Sequence, residues 1–380
     1  SLCQGDAMTG PLGGIRVLEL AGIAPAPFAC TVLSDLGADV VRVERRAQQV
    51  PDADTHVAAP PRDPLARGRR SVAVDLKAED GVRALLDLVE RADVLVEGFR
   101  PGVCERLGIG PEVCLDRNPR LVFARLTGFG QDGPLADLAG HDITYLALSG
   151  ALHPIGPSDR PPTPPINYVA DFGGGAMPLV VGVLAALLER ERSGRGQVVD
   201  ASMTEGASMM TAMLHGLVAQ RLWRDQRGGN LLDGSAPFYR CYECADGRFV
   251  AVGALEDQFY AEFVGLLGFD PAELPDRHQR PNWPALTERF AAVLATRGRD
   301  EWAAVFERSD ACVAPVLSLT EAADHPHAKS RGSFVDVAGQ VQPAPVPRLS
   351  RTPARVTGPA PWPGQHTVDE ALASWPLPTG

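Results

Sequence analysis

Short apolar runs alternate with helix-periodic stretches through roughly the first 200 residues. Residues 15–20 read as a buried strand, 28–36 as a helix stopped by Gly37, and 39–43 as the next strand. Residues 71–76, 93–96 and 121–126 repeat the strand pattern, with a helix over 81–91. Apolar runs bounded by Gly and Pro and separated by helical patterns predict an α/β fold, a parallel sheet covered by helices on both faces. A long apolar helix from about 174 to 191, a strand over 197–200 and a helix over 203–220 close this series. The pattern then changes. Residues 238–244 and 248–252 flank Ala245-Asp246-Gly247, a hairpin signal, and helices follow at 258–267, 285–296 and 300–308. This predicts a separate, smaller α+β domain over 225–325.

Length supports the division, since 380 residues exceed one small core. A net charge of −11 argues against a nucleic-acid partner and against an anionic membrane surface. It leaves room for a small anionic ligand held by a local arginine cluster. Many of the 34 prolines fall in 51–64, 154–165 and 343–363, which read as long ordered connections between periodic segments. The apolar run 177–188 is too short to span a membrane and ends in Glu189-Arg190-Glu191-Arg192. The first residues lack the basic and apolar regions of a signal peptide, with Met8 the expected natural start, and Pro378-Thr379-Gly380 is no peroxisomal address. A cytoplasmic protein is expected. Seven cysteines without framework spacing read as free, reduced thiols. Cys241 and Cys244 form a C-x-x-C pattern, but three residues apart on a strand they face opposite sides, which predicts no metal or redox site there.

The chemistry concentrates in two runs. Gly140-His141-Asp142-Ile143-Thr144-Tyr145 brings an imidazole, and Asn167-Tyr168-Val169-Ala170-Asp171-Phe172-Gly173-Gly174-Gly175 brings a carboxylate beside a glycine run that opens an apolar helix. Two proton carriers beside unpaired helix-start N–H groups, read here at Asp171 and Gly173, suit enolisation of a carbonyl compound. Each residue also has a plainer reading: His141 as a buried histidine bonded to a carbonyl, Asp171 as a helix N-cap. Glu256, heading a helix of the smaller domain, is by itself a first-turn acid. Gly128-Phe129-Gly130-Gln131-Asp132-Gly133 matches a dinucleotide motif, but Pro134 follows at once and no acidic residue ends a later strand, so it reads as a connection leading to His141. His325-Pro326-His327 has no further ligand set, and no metal is assigned. Arg42, Arg45, Arg46, Arg67, Arg69, Arg70, Arg100 and Arg106 crowd the first quarter, many near strand ends, where open α/β sheets bind ligands. Arg45 and Arg106 are the preferred ligand contacts.

Taken together, these residues resemble the class III CoA-transferase family. Residues 14–22 and 36–45, Arg69-Arg70-Ser71-Val72-Ala73-Val74-Asp75-Leu76-Lys77 and Gly128 to Pro134 carry the family likeness across nearly the whole chain. Residues 140–145, 230–239 and 253–259 are similar to its α-methylacyl-CoA racemase branch, with Thr144 where Asn is usual and Ser235 where Gly is usual. The stretch 48–62 is longer than the family's. The resemblance implies a large Rossmann-like domain over 1–200 completed by 340–380, a linker helix over 201–224, the small domain over 225–325 and a return linker over 326–339. It implies an interlocked homodimer with one subunit's small domain over the other's site. His141 and Asp171 would be the acid/bases, with Glu256 supporting His141. Arg45, Val74, Asp75, Leu76, Lys77 and Arg106 would contact coenzyme A. Gly140, Asp142, Ile143, Thr144, Tyr145 and Asn167 would line the thioester site. The expected reaction inverts C2 of 2-methylacyl-CoA thioesters, a step of lipid metabolism. It needs no cofactor beyond the CoA of its substrate and no nucleic-acid or membrane partner. The alternatives are a CoA-transferase with Asp171 as nucleophile and a non-catalytic acyl-CoA-binding protein. Leu146, Ala147, Leu148 and Ala151, with Leu231 and Leu232, are the expected acyl surface.

Overall fold

The computed structural model describes residues 10–45 and 63–377. Arg46, the 48–62 stretch, Cys3, Met8 and the Pro378-Thr379-Gly380 end lie outside them. The chain divides into two compact units, one built from residues up to Ser149, Ile166–Met210 and Pro326 onward, the other from Gly150–Pro165 and Thr211–His325.

The first unit contains a six-stranded sheet of β1 (Arg16–Leu20), β2 (Asp39–Glu44), β3 (Arg70–Ala73), β4 (Val94–Glu97), β5 (Val122–Thr127) and β6 (Val198–Ser202). Every pairing is parallel and the order is β3-β2-β1-β4-β5-β6. That is the Rossmann order, with the chain reversing direction across the sheet between β1 and β4. Val17, Leu18, Val41, Leu95 and Phe123 are fully buried, as strands covered on both faces require. The connecting helices are α1 (Pro25–Asp35), α2 (Glu79–Val89), α3 (Val103–Arg106), α4 (Pro111–Arg117), α5 (Asp142–Ser149), α6 (Met177–Ser193) and α7 (Met203–Met210). The C-terminal part closes the core: Ala371 of the helix Val368–Ser374 and Trp375 just past its end are buried against Leu85, Leu88 and Val72.

Several elements differ from the sequence reading, each for a local reason. The strand expected over 71–76 ends at Ala73, because Asp75 Oδ1 accepts the Lys77 N–H at 3.0 Å and turns the chain. The helix expected from Gly174 begins at Tyr168 as a π-helical turn through Ala176. The glycine run therefore lies inside a helix and opens nothing. A Cβ on Gly174 would stand 2.7 Å from the Ala207 nitrogen, and one on Gly206 would stand 1.7 Å from the Gly174 oxygen. These glycines serve a backbone-close crossing with α7. Tyr168–Ser193 is thus one helical stretch of 26 residues, long and apolar enough to cross a membrane by length and composition alone. Leu179, Val180, Val183 and Ala186 are buried, and α6 packs on β5 and β6, the place of a core helix.

The helix expected over 203–220 is two helices, α7 and α8 (Ala212–Ala219), parted at Thr211 where the units divide. The second unit carries β7 (Tyr239–Glu243), β8 (Phe249–Gly253) and β9 (Val313–Pro315) in one antiparallel sheet, with α9 (Asp257–Leu266), α10 (Trp283–Leu294) and α11 (Arg299–Phe306). Phe238, Phe263, Phe290, Trp302 and Phe306 form its aromatic core. Cys241, in β7, is exposed and Cys244, just past its end, is buried, so the two thiols have different surroundings. The return linker 326–339 holds more structure than its sequence suggests. Phe334–Val337 pairs with Gln340–Pro343 through a tight turn at Ala338 (φ 54°) and Gly339 (φ 82°). Alanine in the left-handed region hides the usual Asn-Gly hairpin signature.

Candidate active site

The C-terminal rim of the parallel sheet is held by buried ion pairs. Glu19, fully buried at the end of β1, faces two guanidiniums: Arg69 Nη1 at 2.8 Å from its Oε2, and Arg42, which also bonds Glu44 at 2.6 Å. Burial still raises its carboxyl above the ordinary range. On the other side of the reversal, Arg125 bonds Glu97 at 2.7 Å and Glu105 at 2.8 Å. Glu97 Oε2 in turn accepts the Phe99 N–H at 2.6 Å. These networks rigidify the two loops, after β1 and after β4, that border the sheet's crevice.

That crevice is a cavity of about 330 Å³ lined by Gly22, Ala24, Phe99, Arg100, His141 and Asp171, among others. Ala24, at the head of α1, holds φ 28°, a strained backbone at the cavity wall. His141 is exposed and sits just before α5. Its N–H donates to Thr144 Oγ1 at 3.0 Å, and that hydroxyl donates back to the His141 carbonyl at 2.7 Å. Asp171 is half-buried, and among the described residues its Oδ2 accepts only from Asn167 Nδ2, at 3.3 Å. Its carboxyl is raised from the usual value, chiefly by burial and further by the nearby Asp142 charge, while His141 opposes this.

Asp142 is 7% exposed and its Oδ2 accepts the N–H groups of both Ala170 and Asp171, at 2.8 Å each. The N-cap position of the 168–176 turn is Asn167, whose side chain makes no cap bond, and the first-turn N–H groups are met instead by Asp142, from outside the helix, and not by Asp171. The Asp171 N–H, expected to be free for an oxyanion, is therefore already engaged, and the Asp142 carboxylate is turned to that backbone. Thr144 likewise secures a backbone, that of His141. Tyr145 is buried, lines the cavity and packs edge-on against Phe129, with ring centroids 5.1 Å apart. Gly128 and Gly140 make its slot, for a Cβ on either would stand within 2.4 Å of its Cε1. Burial, then the Asp171 charge, raises the Tyr145 hydroxyl. Ile143 is exposed beside it.

A second hollow of about 530 Å³ shares Gly22, Ile23 and Phe99 with this cavity and runs to Arg45, Val74, Asp75, Leu76 and Lys77. Arg106 lies one step further, in a depression that also contains Leu76 and Lys77. The six residues expected at coenzyme A thus line two neighbouring hollows, one of which shares wall residues with the cavity of His141 and Asp171. The arginine cluster sorts by partner. Arg42 and Arg69 pair with Glu19, Arg67 with Asp35 and Arg70 with Asp39. Arg45, Arg100 and Arg106 form no ion pair among the described residues. Arg100 is the residue sequence reasoning passed over: it belongs to the same crowd, and only the fold puts it beside His141 and Asp171.

Glu256 belongs to the second unit, as the N-cap residue of α9. Its turn is clamped from behind. Arg277 pairs with Asp257, donates to the Ala254 carbonyl at 3.3 Å and lies over the rings of Phe238 and Tyr260 at 4.8 and 4.6 Å. The buried cation fixes the backbone on both sides of Glu256.

A Rossmann-ordered sheet, a cavity at its switch point and neighbouring hollows bordered by Arg45 and Arg106 together give the layout of an α/β protein that binds an anionic ligand. Residues 12–367 match the model of CoA-transferase family III, and the chain belongs to that family. It is 48% identical over 360 residues to α-methylacyl-CoA racemase of Mus musculus, covering 94% of this chain and 92% of that protein. The Homo sapiens protein of the same name is 46% identical over the same span. Among solved structures, a CaiB/BaiF family protein from Brucella suis superposes with a TM-score of 0.81 at 26% identity, covering 97% of this chain and all of that one.

Proposed function

We infer that this protein is an isomerase that inverts C2 of 2-methylacyl-CoA thioesters. The observation that carries the reading is one cavity holding both an exposed imidazole, His141, and a half-buried carboxyl, Asp171, whose proton affinity burial moves toward that of the imidazole. The kinship with the two racemases supports it. One of the pair, deprotonated, takes the C2 proton; the C2–H electrons move into the thioester as an enolate. The other, protonated, returns a proton to the opposite face. The two must begin in opposite protonation states. The enolate oxygen falls to the first-turn N–H groups of α5, at Asp142 and Ile143, which have no intrahelical acceptor and adjoin His141. Glu256 supports His141, and Arg45, Arg106 and the 74–77 turn receive the anionic CoA moiety. The acyl chain lies toward exposed apolar side chains such as Leu148 and Leu231. The reaction needs only the substrate's own CoA.

The active form is a homodimer, with one subunit's second unit serving its partner's cavity. The exposure of Met177, Val181, Leu188, Met209 and Met210 in the first unit supports this. The decisive experiment is turnover in deuterium oxide with a single epimer of a 2-methylacyl-CoA. Epimerisation with deuterium at C2 is the expected result. Turnover without exchange would overturn the enolate step. CoA exchange with added free acids, or trapping of an acyl-enzyme by hydroxylamine, would instead favour the transferase chemistry of the wider family, with Asp171 as nucleophile.

A further inference from the structure

His141 and Asp171 are far apart along the chain, and the connection between them passes through the other unit at Gly150–Pro165. Something other than that connection must set the distance between them. The Asp142 side chain spans the gap. Its backbone continues directly from His141, and its Oδ2 grips the Ala170 and Asp171 N–H groups at 2.8 Å each. Its Oδ1 is also buried and has no hydrogen-bond partner among the described residues. From the other side, Thr144 pins the His141 backbone through both its N–H and its carbonyl. A charge-assisted pair of short bonds is among the stronger local constraints a fold offers, and productive proton transfer tolerates little slack.

We propose that Asp142 is a positioning residue that couples the two proton carriers, fixing their separation through its grip on the helix bearing Asp171 and placing its negative charge beside that carboxyl. The assignment rests on the racemase reading for its kinetic consequences, but its structural part does not. The groups facing Asp171 are Asp142, His141 and Asn167, with Tyr145 and Arg100 on the same cavity wall. Asp142's charge opposes ionisation of Asp171 and His141's favours it.

Two variants separate grip from charge. Asp142→Asn keeps an acceptor oxygen for both N–H groups and removes the charge. Asp142→Ala removes both. In the full-length protein, the carbon-13 carboxyl titration of Asp171 is expected to move to lower pH in Asp142→Asn, and the acid limb of C2 exchange to move with it. The hydrogen exchange of the Ala170 and Asp171 amides should stay slow in Asp142→Asn and rise at least tenfold in Asp142→Ala, with kcat falling much further than KM changes. An unmoved Asp171 titration in a folded Asp142→Asn protein would overturn the charge role. Unchanged amide protection in Asp142→Ala would overturn the grip. If the wild-type protein exchanges no C2 proton, the racemase reading fails alone, because the titration and amide measurements still decide the role of Asp142. Should Asp142→Ala not fold, Asp142→Ser, which offers a shorter acceptor, replaces it in the same comparison.

Discussion

Asp171 illustrates how a residue's job is settled by what its side chain does not do. Among the described residues its carboxyl caps no helix and accepts only a 3.3 Å bond from Asn167, so Asp171→Asn removes a proton carrier with little structural cost. The expected result is an unchanged fold by circular dichroism with C2 exchange reduced by a factor of about 10² or more. Near-normal exchange would return Asp171 to a bystander. At Gly128 the expected effect is steric. A Cβ there meets the Tyr145 ring at 2.3 Å, so Gly128→Ala should cost roughly 1–3 kcal/mol in urea unfolding through overpacking. The sequence singles out His141 and Asp171 as proton-carrying types, and the structure sets both on one cavity wall, with the 74–77 turn on the neighbouring hollow. The backbone bonds of Asp142 and Thr144 are hidden in the sequence, since a capping carboxylate and a binding one are the same residue until the distant N–H groups it meets are known. Arg100 was indistinguishable from its neighbours until burial and pairing removed Arg42, Arg67, Arg69 and Arg70 from contention.

Elements were legible where periodicity alone decides them. The parallel strands other than β3, and α2, follow the apolar pattern closely. Those that failed depend on long-range partners: the π-helical start at Tyr168 needs Asp142, and three-residue β9 exists only because β8 lies beside it. The glycine run at 173–175 was read as a helix opener, whereas its partner is Gly206, visible only once α7 crosses it. In the second unit, α11 is anchored by Arg299, which bonds Glu321 at 2.8 and 3.0 Å. That pairing, with the Ser318 backbone N–H, holds the Glu321 carboxyl down at about 2 against an ordinary 4.5. A depressed carboxyl contributes stability that is present above 4.5 and lost as pH falls through about 2. The expected signature is a thermal midpoint that declines over that acid window in the wild type and declines less in Glu321→Gln, measured at matched ionic strength. Parallel declines would show that the pair does not couple to folding.

For the whole molecule, the apolar side of α6 carries the next test. Val181 and Leu188 are 62% and 67% exposed, a poor arrangement for a solitary chain. Sedimentation is expected to give twice the 40.4 kDa chain mass, and Val181→Glu with Leu188→Glu should yield monomers without C2 exchange. An active monomer would refute the dimeric site. The division into an α/β body and a smaller α+β body was visible as a change of period near the middle of the chain. The detour of Gly150–Pro165 into the second unit was not, because proline-rich connections carry no address. Within that unit Arg227 ties the detour down, donating to the carbonyls of His153, Pro157 and Arg160. His141 and Asp171 stay behind in the first unit, joined by side-chain bonds and not by the intervening chain. In descent with modification, that layout places two natural crossover points at Gly150 and Ile166. A lineage that lengthens or exchanges the detour inherits the proton-carrying pair intact, so diversity in this family should accumulate between those points while the residues at either end stay constant.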